Sequence, residues 1–198
     1  MLLYDSPPSG NCYKVRLLLS QLGIPFDRVE VDTRRREGRE ELLGDKNLAL
    51  RVPVLELDDG RHLAESGAIL WYLAEGTEFV PERKFERAQT LQWMFFEQYD
   101  HEPYIAVIRH RALLGDLDSY PDTEQRRERG NAALGAMEQH LEGREFFVGD
   151  RYTIADIALY AYTHVAGEGG FDLAPYPNVR AWIDRVAAQP RHIPITQG

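Results

Sequence analysis

Three short stretches hold residue types that can bind or activate a small polar ligand. The first, Ser9-Gly10-Asn11-Cys12-Tyr13-Lys14-Val15, stands where a short apolar strand gives way to a helix. Serine and asparagine there cap a helix by accepting bonds from its first backbone N–H groups. The same place suits an anion, because those N–H groups and the positive end of the helix dipole converge on it. A hydroxyl at such a start is either a plain N-cap or a donor to a thiolate, and the residues alone allow both. In the second stretch, Arg51-Val52-Pro53-Val54, the proline removes a ladder donor from a strand-like run. That marks an edge or a turn, or equally a cis bond that turns a backbone edge toward a ligand. The third, Glu65-Ser66-Gly67-Ala68-Ile69, opens a helix with a polar pair. Ser66 suits the N-cap and Glu65 complements the dipole. Read functionally, the Ser66 hydroxyl and backbone N–H capture a carboxylate while Glu65 takes an ammonium.

The elements that must position these residues follow from periodicity. Met1 to Tyr4 reads as a strand, and Val15, Leu18, Leu19 and Leu22 recur at helical spacing until Gly23. Phe26, Val29 and Val31 belong to a second strand, and Arg34 to Leu43 reads as an exposed helix. Val52 to Leu57 and Arg61 to Ala64 flank Asp58-Asp59-Gly60, a hairpin signal, and a helix from Ser66 to Glu75 stops at Gly76. Strand, helix, strand, helix, hairpin, helix make an α/β sandwich. Beyond Pro81 strand signals fade. Phe85, Ala88, Leu91, Met94 and Phe95 mark a helical stripe running toward Leu114 with a kink at Pro103, and helices follow over Thr123 to Leu141, Thr153 to Val165 and Val179 to Ala188. The organisation expected is an α/β domain over 1–77 and an all-helical domain over 84–198.

Composition narrows the function classes. Among 198 residues, 23 are Lys or Arg and 32 Asp or Glu, a net charge of -9 that repels phosphate backbones. The cluster Arg34-Arg35-Arg36 is followed by Glu37, Glu40 and Glu41, which makes a solvated mixed-charge helix and no nucleic-acid patch. Uncharged runs fall short of the ~20 apolar residues of a membrane span, and the first residues do not read as a signal peptide. A lone cysteine, Cys12, excludes an intrachain disulfide and argues against a thiolate zinc site, so a reduced, cytoplasmic setting is expected. His101 and Glu102 have no second ligand pair at helical spacing, so no metal is expected.

Taken together and in this order, Ser9 to Val15, Val52-Pro53, Glu65-Ser66 and the helical second half resemble the cytosolic glutathione transferase family over essentially the whole chain. The likeness is nearest to bacterial, serine-type, theta- and nu-like members. Gly149-Asp150-Arg151-Tyr152-Thr153-Ile154-Ala155-Asp156 is similar to that family's folding motif in the second domain. Physically it is a capping arrangement, with Thr153 as N-cap, Asp156 three residues on, and Tyr152 placed to staple onto Ile157. Asp156 is therefore read as structural.

The resemblance implies a thioredoxin-like N-terminal domain that binds glutathione, a helical C-terminal domain that contributes an electrophile site, and glutathione as cosubstrate without a metal. It implies Glu65 on the γ-glutamyl ammonium, Ser66 on its carboxylate, Val52 paired backbone to backbone with the cysteinyl unit beside a cis Pro53, and Arg51 near the glycyl carboxylate. Ser9 activates the thiol, and Asn11 matches an asparagine of the nu-like group. Cys12 lies in the first helical turn, where a lowered pKa is open to it, but packing is the preferred reading. Tyr99, Tyr104 and Ile108 are expected to line the electrophile cleft, or alternatively to serve as core or dimer contacts. The stretch Asn47-Leu48-Ala49-Leu50-Arg51 departs from the family's Asn-Pro pattern, which bears on the contact expected of Arg51. The function implied is detoxifying conjugation of glutathione to small electrophiles by a cytoplasmic homodimer. A glutathione-dependent disulfide reductase or peroxidase and a non-catalytic binding module are the alternatives.

Overall fold

The computed structural model describes residues 1–33 and 36–197. Contacts divide the chain into two units, one formed by Met1–Thr77 with the tail from Pro190 onward and the other by Glu78–Gln189. The expectation of a helical domain over 84–198 is corrected at its end, because the last residues pack on the first unit.

In the first unit the elements run β1 (Leu2–Asp5), α1 (Gly10–Leu22), β2 (Asp27–Glu30), α2 (Arg36–Leu43), β3 (Val54–Glu56), β4 (His62–Ala64) and α3 (Ser66–Ala74). The sheet order is β2-β1-β3-β4, with β1 parallel to β2 and antiparallel to β3, and β3 antiparallel to β4. Alternation along the strands sorts the core. Leu3 and its partner Leu55 face Val15, Leu19 and Ile69 of α1 and α3, whereas Tyr4 and its partner Val54 face Leu43 of α2. Asp58-Asp59-Gly60 forms the expected turn, with the Gly60 N–H donating to the Leu57 carbonyl and φ of 80° at the glycine. Glu40 and Glu41 of α2 are exposed, as a solvated helix requires, while Arg34 and Arg35 lie outside the described residues.

The second unit holds α4 (Lys84–Phe96), α5 (Glu102–Leu114), α6 (Thr123–His140), α7 (Ile154–Thr163) and α8 (Pro177–Ala187). The kink expected at Pro103 is one turn of π-helix, Glu97–His101, with the proline in the first turn of α5. Proline has no N–H for the carbonyl four residues back, and a widened turn absorbs that loss. Trp93, Phe147 and Trp182 stack edge to face, with ring centroids 4.7 and 5.1 Å apart, at the centre of this unit. The capping box is present. Thr153 accepts from the Ala155 N–H at 3.3 Å, and Asp156 accepts from the Thr153 N–H at 2.9 Å. The Tyr152 ring sits edge-on against Phe79 and tilted against Phe146.

Candidate functional site

Strand register brings the three sequence stretches to one end of the sheet. Val54 is paired with Tyr4 on one side and Ala64 on the other. The residues just beyond these pairs are Pro53, the β1–α1 loop that leads to Ser9, and Glu65. Val52-Pro53, Ser9 and Glu65-Ser66 therefore share an edge because of pairing and not because of proximity in sequence.

Ser9 is the N-cap of α1, in extended backbone conformation, and its hydroxyl accepts from the Cys12 N–H at 3.3 Å. Its own N–H donates to the Ser6 carbonyl at 2.9 Å, closing a turn over Pro7 and Pro8. Capping uses only an acceptor lone pair, so the hydroxyl keeps its proton for donation. The two readings left open above are compatible in one side chain.

Asn11 joins α1 to α3. Its Oδ1 accepts from the Lys14 ammonium at 2.7 Å and from the Ser66 hydroxyl at 3.3 Å. Both are donors, which fixes which end of the amide faces them. Lys14 is buried to 1% exposure beside this bridge. Sequence reading gave it no role, and its only signal is the three-residue spacing from Asn11 along the helix face.

Ser66 is the first residue of α3 and not its cap, which corrects the expectation from its residue type. Glu65 holds the cap position without a side-chain bond to the helix, at φ 68° and ψ 116°, a conformation rare outside glycine. Such a residue stores on the order of 1–3 kcal/mol of strain, which the neighbouring structure must hold in place. The Glu65 side chain is exposed and Ser66 is buried. Neither α1 nor α3 carries an acidic residue in its first turn, and at α3 the nearest carboxylate of its own segment is that of Glu65 at the cap.

The Val52-Pro53 peptide bond is cis, and Pro53 is buried. Ahead of it the Asn47 side chain organises the departing loop, accepting from the Ala49 N–H at 3.0 Å and donating to the Arg51 carbonyl at 2.9 Å, with Leu50 at φ 53°. The Arg51 side chain is exposed beside the cis bond.

Cys12 is wholly buried, and burial, with the Asp5 carboxylate adding to it, pushes its thiol up to about 12. The dipole effect that lowers a helix-start thiol is outweighed here. Tyr4 belongs to the α2 side of the sheet and donates its hydroxyl to Glu56 at 2.9 Å, away from α1. Among the second-unit candidates, Tyr99 is 80% exposed, Tyr104 lies half-buried with the Arg129 guanidinium 5.7 Å from its ring centre, and Ile108 is fully buried against Gly169. Ile108 thus sits where the core alternative put it. The π-turn adds a residue to the turn between Tyr99 and Tyr104, which changes the face that a regular helix would give them. Among the described residues no cluster of His, Cys, Asp or Glu could hold a metal, and no helix is long and apolar enough to cross a membrane.

Family models decide the kinship. Residues 8–75 match the glutathione S-transferase N-terminal domain, and residues 93–190 match the C-terminal domain. The chain belongs to the glutathione S-transferase family. A glutathione S-transferase structure from Pseudomonas fluorescens is 48% identical, with a TM-score of 0.94 and coverage of 98% of both chains. Glutathione S-transferase 3 of Zea mays is 28% identical over 95% of this chain and 89% of its own. The disulfide-bond oxidoreductase YfcG of Escherichia coli is 29% identical over 92% and 88% respectively. Membership of the glutathione S-transferase family supports a glutathione-binding, transferase-like function.

Proposed function

We propose that this transferase-family chain binds glutathione at the shared sheet edge and uses Ser9 to hold the sulfur as a thiolate. That thiolate attacks a small electrophile. A sulfur–carbon bond forms as the leaving group departs with the carbon's former bonding pair. The observation that carries the reading is Ser9 itself, an N-cap whose proton is not spent in capping. Lowering a thiol pKa from ~8.5 by ~2 requires roughly 2.7 kcal/mol in favour of the anion. A hydrogen bond to a charged group supplies ~1.5–3 kcal/mol and the helix start ~0.3–1 kcal/mol. Hydroxyl and dipole together suffice without a general base.

The other contacts divide the tripeptide by its charges. Exposed Glu65 takes the γ-glutamyl ammonium. Ser66, with the uncapped first turn of α3, takes the adjacent carboxylate, its hydroxyl turning its one proton from Asn11 Oδ1 to the ligand. Val52 offers its backbone to the cysteinyl unit as a short strand addition, and Arg51 meets the glycyl carboxylate. Asn11 orients Ser66 through their shared bond and is the second polar side chain of the α1 start. Tyr99 and Tyr104 remain the candidates for contact with the electrophile. We take the working form to be a cytoplasmic homodimer.

A second reading, glutathione-dependent disulfide reduction, is favoured by Asn11 and by the likeness to YfcG. Both readings require a thiolate, so the assay must compare products. We expect turnover of a chlorinated aromatic to exceed that of a small mixed disulfide and of a hydroperoxide. The reverse order would replace conjugation by reduction, and failure to bind immobilised glutathione at millimolar ligand would leave a non-catalytic module.

A further inference from the structure

Three residues of α1 and its C-cap follow one another at intervals of three, four and three: Tyr13, Arg16, Ser20 and Gly23. They are covered by the C-terminal tail. At Gly23, φ 68°, the Arg191 guanidinium fills the space that a Cβ would need. The Ser20 hydroxyl donates to the Arg191 carbonyl at 2.9 Å. The Tyr13 hydroxyl donates to the Ile193 carbonyl at 2.7 Å and lies 3.2 Å from the His192 Nε2. Arg16 Nη2 donates to the Ile195 carbonyl at 3.0 Å. Tyr13 and Arg16 are buried to 0% and 1% exposure by this covering.

Arg16 also reaches the other way. The same Nη2 donates to the Pro7 carbonyl at 3.0 Å, and Nη1 lies 3.5 Å from the Asp5 carboxylate, which is also paired with Arg28. Asp5 and Pro7 flank Ser6, whose carbonyl receives the Ser9 N–H. One guanidinium therefore grips the turn that presents Ser9 on one side and the tail on the other. A planar fork can hold several oxygens at fixed angles, and an ammonium cannot.

We propose that Arg16 is a positioning residue for the Ser6–Ser9 turn and that the tail from Pro190 onward, seated on Tyr13 and Arg16, is its anchor, so that tail seating sets how well the site holds a thiolate. This rests on the reading of Ser9 given above. A turn freed from Arg16 would still let the tripeptide dock at Glu65, Ser66 and Val52, yet would hold the hydroxyl less well against the sulfur. The loss would then fall on the thiolate and on kcat more than on glutathione affinity.

The test uses the full chain, its Tyr13→Phe variant, which keeps the ring and removes only the hydroxyl, and its Arg16→Lys variant. Hydrogen exchange reports the tail and the Ser9 amide, and thiolate absorbance reports bound glutathione. We expect amide exchange in 191–197 and at Ser9 to accelerate together in both variants. The apparent pKa of bound glutathione should rise by about one, or about tenfold less thiolate at a given pH below it, with affinity within about threefold of the parent chain. Faster tail exchange with Ser9 exchange and thiolate unchanged would overturn the proposal, as would a tail that stays protected in Tyr13→Phe. If the parent chain shows no thiolate with glutathione bound, the Ser9 reading falls, and the exchange data alone then decide whether tail and turn are coupled.

Discussion

Asp156 receives four donors and is completely buried. Its Oδ1 accepts from the Phe147 N–H at 3.1 Å and the Trp182 indole at 3.0 Å, and its Oδ2 from the Thr153 N–H at 2.9 Å and the Thr153 hydroxyl at 3.0 Å. Hydrogen bonds favour the ionised carboxylate and burial disfavours it. Here burial wins, raising the pKa from 3.8 to about 6. The sign follows. A group with a raised folded pKa contributes stability that is whole below its unfolded value and is lost as pH climbs through the folded one. A displacement of roughly two pH units at about 1.4 kcal/mol each comes to about 3 kcal/mol, lost between about pH 4 and pH 6–7. Asp156→Asn cannot titrate and so lacks this slope. Its amide also sets an NH2 against two of the donors, at about 1–3 kcal/mol for each one left unsatisfied. Denaturant unfolding of both proteins from pH 4.5 to 7.5 isolates the effect, because every other carboxylate cancels in the difference. The substitution should cost more at pH 4.5 than at pH 7.5, by most of that 3 kcal/mol. A cost that is flat, or that grows with pH, would mean that the four donors outweigh burial, and would refute the reasoning.

Two further predictions concern the first unit. With its thiol pushed up to about 12 and no exposed surface, Cys12 should resist iodoacetamide at pH 7.5 in the folded chain and react at once in urea; rapid native alkylation seen by mass spectrometry would contradict its burial. Ser66→Ala removes the donor to Asn11 and the proposed carboxylate contact. At about 1.5–3 kcal/mol for a bond to a charged group, glutathione should bind roughly tenfold or more weaker by calorimetry, with kcat little changed, and the opposite split would take Ser66 out of ligand capture.

How much of this was legible in the sequence depends on whether a residue's signal is local. The alternation that sends Leu3 and Tyr4 to opposite faces, the Asp58-Asp59-Gly60 turn and the Thr153–Asp156 box each depend on neighbours a few positions away, and each stands in the structure. Ser66 shows the limit of residue preference. A serine at a helix start reads as a cap, but a bond to Asn11, 55 residues earlier, draws its hydroxyl elsewhere. The tail shows a larger limit. Nothing local to Tyr13, Arg16 and Ser20 says that residues some 170–180 positions later will cover them. The turn at Glu97–His101 was not legible, for a geometric reason. A π-turn changes the phase of a helix without leaving a mark in its hydrophobic period.

The central claim is that Ser9 supplies the proton that steadies a glutathione thiolate. Its most direct measurement is the thiolate absorbance of bound glutathione against pH in the parent chain and in Ser9→Ala, with affinity measured alongside. The account predicts a parent pKa about two below the free thiol's ~8.5 and a rise of roughly one or more in Ser9→Ala, with the tripeptide still bound. The same titration curve in both proteins would contradict it.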